Sequence, residues 1–196
     1  MVSKLLCGQA ELAARHGVTT EDIINAAPDS KEKYEFLSIL LNQPDALDRT
    51  CRPGHFTGSG LVVDPTNCSV LLLYHSKLKR WLQPGGHADG DRDLARVALR
   101  EAIEETGIND LQLIEPAIDL DIHFVDPPDE EAHHHYDVRF LVIAPTNTNA
   151  VGNHESEKLA WVSPKELNSL VGVSDLERLV EKGLDLTNYL IQEGLI

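Results

Sequence analysis

Apolar residues follow two regimes along this chain, and the change falls near residue 50. Before it the spacing is helical. Thr19 or Thr20 ahead of Glu21-Asp22-Ile23-Ile24 opens one helix, which Pro28-Asp29-Ser30 breaks. Ser30 caps a second helix over 31–41, where Tyr34, Leu37, Ile39, Leu40 and Leu41 form a partly amphipathic stripe with Pro44 beyond it. From Phe56 the pattern becomes short apolar runs bounded by turn residues. Residues 60–64 and 69–75 read as strands separated by Pro65-Thr66-Asn67. The run 83–91 is so rich in Gly and Asp that a loop is expected. A helix over 93–106 follows, with Gly107 placed to close it. Further strands are predicted at 111–115, 118–125, 135–144 and 159–162. Ser163-Pro164-Lys165-Glu166 opens a helix with Pro at its first position, and 174–182 reads as the last helix. Strands around one central helix, with more helices at the end, predict an α/β sandwich on a mixed sheet. The expected organisation is an N-terminal helical extension over 1–50 and a main domain over 51–196. The extension carries no catalytic pattern and is expected to pack on the domain or to form a homodimer contact.

Composition narrows the partners. The chain has 196 residues, 42% of them hydrophobic, enough for a real core without disulfides. Its 32 acidic and 17 basic residues give a net charge of −15, which repels nucleic acid polymers and anionic membranes. A phosphorylated small molecule is still compatible if a divalent cation lies between the two anions. Cys7, Cys51 and Cys68 lack metal-ligand spacing and read as reduced thiols of a cytoplasmic protein. Lys4-Leu5-Leu6-Cys7 is too short an apolar stretch for export, because Gln9 and Glu11 follow almost at once. No window is long enough for a membrane helix.

The helix over 93–106 holds the strongest chemical signal. At about 100° per residue, Glu104 and Glu105 fall on either side of Glu101, within roughly 60°. Ala95, Ala98, Leu99 and Ala102 occupy another face, suited to burial. Like charges at this spacing cost a helix roughly 0.2–0.5 kcal/mol per pair, and the nearby C-terminus disfavours anions further. A divalent cation would reverse both penalties, and carboxylate oxygens suit Mg²⁺ or Mn²⁺. The plainer reading is a solvated acidic face offset by Arg96 and Arg100. Gly85-Gly86, one short loop upstream, adds a place where backbone can approach a ligand closely.

The segment 86–108 resembles the Nudix box: glycine, five residues, glutamate, seven residues, Arg-Glu, an apolar residue, any residue, Glu-Glu, any residue, glycine and an apolar residue. Gly86, Arg100, Glu101, Glu104, Glu105, Gly107 and Ile108 stand at the required spacing, and Ala102 fills the apolar position. A looser likeness runs over 55–170, including Trp81-Leu82-Gln83-Pro84-Gly85-Gly86-His87 and Trp161-Val162. The box departs from the pattern at Arg92, where the family has its first glutamate. Arg92 is expected to pair with Asp89, Asp91 or Glu101 or to meet a substrate phosphate, and Asp89 or Asp91 to replace part of the missing carboxylate.

The resemblance implies a Nudix-type α/β/α sandwich and a Mg²⁺-dependent hydrolase, with Mn²⁺ as an alternative ion. The linkage cleaved would be a diphosphate in a nucleoside diphosphate derivative or related small molecule. It implies metal ligation by Glu104 and Glu105, with Glu101 as third ligand or as the base, and by the Gly86 carbonyl. Arg100 would orient a glutamate. A further glutamate from a later loop is expected at Glu155, with Glu157 second. The alternative reading is a Nudix-like nucleotide-binding or regulatory module with little hydrolysis, for which Arg92 is the sequence argument. A diphosphate isomerase finds no positive support.

His133, His135 and Asp137 alternate, so a strand places them on one face, opposite His134, Tyr136, Val138 and Phe140. They are read as a polar strand face, as substrate contacts, or as ligands of Zn²⁺ or another transition metal. His87 beside the glycine pair is expected to line the active site. His55 and His123 are read as structural. Trp81 is read as a core or rim aromatic, with stacking on a base as the alternative.

Overall fold

The structure, a computed structural model, describes residues 6–127, 130–154, 156–170 and 175–196. One mixed sheet forms its centre, in the order β1-β6-β7-β2-β3-β4, with β5 also paired to β2 and β8 to β3. The strands are β1 (Leu6–Cys7), β2 (Gly54–Asp64), β3 (Ser69–His75), β4 (Trp81–Leu82), β5 (Gly85–His87), β6 (Gln112–Val125), β7 (His133–Ile143) and β8 (Ser156–Val162). Only the central pair β2 and β7 is parallel among the described strands. This is the expected α/β sandwich on a mixed sheet.

Alternation along β2 assigns the two layers. Phe56 and Val62 join Val138, Phe140 and Val142 of β7 in a core beneath α4 (Leu94–Thr106). Leu12 of α1 (Gln9–Ala14), Ile23 and Ile24 of α2 (Thr20–Ala26), and Phe36 and Ile39 of α3 (Lys31–Asn42) pack into the same core. Helices α1 to α3 are thus built into the layer beside α4. Arg15 ties them down, bonding Asp93 at the start of α4 at 2.6 Å and Glu115 of β6 at 2.5 Å. On the opposite face Leu61, Val63, Leu141 and Ile143 pack against Leu176, Leu179 and Val180 of α6 (Asp175–Gln192), with α5 (Pro164–Leu170) beside it.

Local chemistry explains where the sequence reading holds. Asp93 caps α4 through a bond from the Arg96 amide at 3.3 Å, and Gly107 ends it in the left-handed region at φ 68°. Thr19 and Ser30 cap α2 and α3.

Three expectations change. The 83–91 run is not wholly loop: β5 pairs Gly85, Gly86 and His87 with Ser59, Gly58 and Thr57. That edge of β2 lies beyond the reach of β3, and its backbone groups need partners. β6 runs unbroken through Pro116, absorbing it in a register shift between Ile114 and Asp119. The last helix passes through Gly183 to Gln192, well beyond 182. A Cβ on Gly183 would lie 2.4 Å from Leu61 Cδ2, so this glycine lets α6 sit close on β2. Ser174, the expected start of that helix, and residues 4 and 5 of the short N-terminal apolar stretch lie outside the described residues. No helix among the described residues is long and apolar enough to cross a membrane.

Candidate active site

The face of the sheet beneath α6 is apolar along only part of its length. The same face of β2 begins with His55, Thr57 and Ser59, and their parallel partners on β7 are His135, Asp137 and Arg139. On β6, Asp119, Asp121 and His123 face Arg139, Asp137 and His135 in turn. This polar floor underlies a cavity of about 970 Å³ whose walls include Glu101 and Glu105 of α4, Gly85, Gly86 and His87 of β5, and the 74–82 hairpin.

The wall places backbone against carboxylate. Gly85 N–H donates to Glu105 Oε2 at 2.8 Å, and the Glu105 side chain is buried. A Cβ at Gly86 would stand 2.5 Å from Glu101 Cδ, so only glycine fits there without moving that carboxylate. Arg100 donates to Glu101 Oε1 from Nη2 at 2.8 Å and from Nε at 3.3 Å. Glu104 is exposed and does not line the cavity. Two acidic groups separated by a glycine-lined backbone, one of them held by an arginine, form a donor set of hard oxygens. That chemistry fits a small divalent cation of the Mg²⁺ class.

The positions flanking this set differ from expectation. Arg92 is exposed and lines a separate depression with Arg15, Thr19, Asp89 and Asp91, away from the main cavity. Asp89 pairs with Arg49 and Asp91 with Arg96, so neither pairs with Arg92 and neither supplies a carboxylate to the cavity. Among the described residues Arg92 makes no ion pair; a residue beyond the helix cap cannot share the stripe of Glu101 and Glu105, two turns on. Glu155 lies outside the described residues, and Glu157 pairs with Lys79.

The floor is held by a buried charge network. Arg139 donates to Asp137 at 2.8 Å, to Asp121 at 2.7 Å and to Asp119 at 3.5 Å. Arg178 and Lys182 of α6 reach Asp119 at 3.0 and 2.7 Å. Burial alone raises the Asp121 carboxyl, but His123, Arg139 and Arg178 outweigh it and hold it at about 2. Thr57 and Ser59 donate to the two oxygens of Asp137 at 2.9 and 2.8 Å. Asp137 is therefore committed within the protein and is not available beside His133 and His135 as a metal ligand.

Five histidines gather at one end of this floor. The His55 ring lies 5.0 Å from His87, 4.7 Å from His133 and 4.9 Å from His135, and His123 lies 5.4 Å from His135. His87, His123, His133 and His135 line the cavity. Burial pushes His55 down to about 4 and His135 to about 2, aided by the neighbouring imidazoles; burial and Arg49 lower His87. The alternation of His133 and His135 is as read from the sequence. His55 is fully buried against His87, His133 and His135, and His123 lines the cavity; in the sequence both belong to two further alternating polar runs, His55-Thr57-Ser59 and Asp119-Asp121-His123.

Arg49, Lys77, Lys79 and Arg80 also line the cavity, Arg49 paired with Asp89 and Lys79 with Glu157. Trp81 meets Tyr74 edge-on at 5.5 Å, and both line the cavity.

The chain matches the family model described as NUDIX domain over residues 55–182. It is 30% identical to MutT4 of Mycobacterium tuberculosis over 149 residues, covering 70% of this chain and 58% of that protein, so it spans little more than half the length of this curated relative. Solved structures share the fold. An Ap4A hydrolase of C. elegans in a binary complex superposes with a TM-score of 0.55 at 18% identity, covering 70% of this chain and 98% of that one. A NUDIX-family hydrolase from Clostridium perfringens gives 0.56 at 24%, covering 69% and 97%. The E. coli dihydroneopterin triphosphate pyrophosphohydrolase gives 0.56 at 16%, with the same coverage.

Proposed function

The chain belongs to the NUDIX domain family, and from that premise we propose that it is a hydrolase of a diphosphate linkage in a nucleoside diphosphate derivative or a related small molecule. The observation that carries this reading is the meeting of Gly86, Glu101 and Glu105 on one wall of a cavity that also holds the cationic side chains of Arg49, Lys77, Lys79 and Arg80 and the Tyr74–Trp81 pair of the 74–82 hairpin.

Glu101, Glu105 and the Gly86 carbonyl would hold a divalent cation, Mg²⁺ or Mn²⁺, with the exposed Glu104 outside this inner set. Such an ion supplies charge neutralisation on the phosphates and a more acidic water. The protein's own part is positional. Arg100 fixes Glu101, which serves as third ligand or as the base that takes the proton of the attacking water. As the water oxygen bonds to phosphorus, the bridging P–O bond breaks and its electrons leave on the departing phosphate. Arg49, Lys77 and Arg80 offset phosphate charge, and the Tyr74–Trp81 pair offers an aromatic surface to a base. His87, His133 and His135 line the same space and would contact the substrate. Arg92 is exposed and lines a separate depression, which supports the hydrolase reading over a binding module without hydrolysis.

The test is product release from a panel including nucleoside triphosphates, dinucleoside polyphosphates such as Ap4A, and dihydroneopterin triphosphate. Each is run with Mg²⁺, with Mn²⁺ and with chelator. Turnover should require the ion and fall about 100-fold or more in Glu101→Gln and in Glu105→Gln. Thermal stabilisation by these compounds without turnover of any would sink the hydrolase and leave a binding module.

A further inference from the structure

We propose that His55, His87 and His135 form a binding site for a late first-row divalent cation of the Zn²⁺ class, distinct from the glutamate wall and open to the same cavity. This inference does not rest on the diphosphate reading. Their ligand nitrogens already lie within 4.8 Å of one another. Three nitrogens around a tetrahedral ion at 2.0–2.1 Å lie roughly 3.3 Å apart, so small side-chain movements would close the site.

The state of His55 is the main argument. Its side chain is fully buried, yet neither ring nitrogen has a hydrogen-bond partner; the Cys51 backbone comes near without bonding geometry. Buried polar atoms are nearly always satisfied, and an orphaned imidazole facing two others is a ligand-shaped exception. An apolar side chain would fill this position with less penalty.

The surrounding hydrogen bonds prepare a lone pair. His133 Nδ1 lies 2.6 Å from the Glu131 carbonyl, which can only accept, so Nδ1 carries the proton. In that tautomer His133 Nε2 accepts from His135 Nε2, 3.2 Å away. His135 is left with Nδ1 as its unprotonated nitrogen. His133 thus acts as a positioning residue that fixes the tautomer of a ligand, as supporting groups around metal sites do.

Ligand type separates the two sites. Imidazole nitrogens favour Zn²⁺ and its neighbours over Mg²⁺, whereas the carboxylates and carbonyl of the wall favour Mg²⁺. Three protein ligands leave a fourth position, and His87 and His135 line the cavity, so it opens toward bound substrate.

The experiment uses the full chain, stripped of metal and then saturated with Mg²⁺. Titration with Co²⁺ should give the intense visible spectrum of a tetrahedral ion at one per chain, and one equivalent of Zn²⁺ should displace it. His87→Ala and His135→Ala should each weaken the Zn²⁺ affinity by at least the roughly 10–100-fold that loss of a supporting partner costs. The Glu101→Gln, Glu105→Gln double variant should leave it unchanged. Absence of a tetrahedral signal in the unaltered protein overturns the proposal, as does a signal abolished by the glutamate changes and kept in the histidine ones. Nitrogen NMR of the imidazoles in the unaltered protein guards against misfolded variants. One equivalent of Zn²⁺ must shift the ring nitrogens of His55, His87 and His135, and unshifted resonances would also overturn it.

Discussion

The glutamate wall and the strand floor border one cavity but are built on opposite principles. The wall comes from a single helix and the short strand beside it, and its groups are near solvent or lean on backbone. The floor is assembled from β2, β6 and β7, and its charges are buried and mutually satisfied: Arg139, Asp119, Asp121 and Asp137 are each below 6% exposed at the side chain. The acidic groups of the wall face the cavity, held by one arginine and one backbone amide, whereas those of the floor are turned inward onto buried and half-buried cations. Changes in the floor should therefore register as lost stability, and changes in the wall as lost activity with the fold intact.

The largest expected effect tests the floor. Arg139→Met leaves Asp121 and Asp137 buried without their central cation, and breaking a buried network from one side typically costs about 3–5 kcal/mol. Urea unfolding should show that loss in full, because Arg178 and Lys182 are half exposed and reach Asp119 and Asp121 but not Asp137. A change below about 1 kcal/mol would mean that the floor is not a structural device and that the contrast with the wall is false.

The same contrast explains what the sequence disclosed. The helix over 93–106, its closing glycine, its acidic stripe and the strand 69–75 were readable because each depends on residues within a few turns of one another. His133 and His135 were readable as one face of a strand. His55 was not read as part of the site, because its place beside His135 depends on the parallel register of β2 and β7, set by contacts eighty residues apart. For the same reason the polar run His55-Thr57-Ser59 concealed the first half of a fully buried central strand, which the sequence suggested only from residue 60. Arg92 shows the reverse failure. Its position in the box was legible, but its separation from the cavity depends on the turn before α4, which no pattern reports.

A smaller effect sharpens the floor by pH. The folded Asp121 carboxyl is depressed to about 2, against roughly 3.9 when unfolded. The native state then binds fewer protons, so the stabilisation is complete above about pH 4 and is lost as pH falls toward 2. Its size is roughly 2–3 kcal/mol. Unfolding free energies measured at pH 5, 4 and 3 should fall along this limb, and Asp121→Asn should flatten it while lowering stability at pH 5. An unchanged slope in that variant would assign the acid limb to other carboxylates.

The smallest effect sharpens the wall. In Gly86→Ala the added Cβ meets the Glu101 carboxylate at 2.5 Å. The obstruction is the far end of a flexible side chain, so the fold can yield cheaply, and the stability change should stay below about 1 kcal/mol. The carboxylate that yields is the one Arg100 holds in place, and a misplacement of about 1 Å at a reacting centre costs up to roughly 100-fold. Turnover should therefore fall about 10–100-fold while the unfolding midpoint barely moves, with the activation by Mg²⁺ shifted to higher concentration. If stability fell in step with activity, the close approach of β5 to α4 would be a packing requirement, and the glycine would say nothing about an ion. If both stayed unchanged, Glu101 would have room to move without consequence, and the ligand set would have to be sought in Glu104 and Glu105.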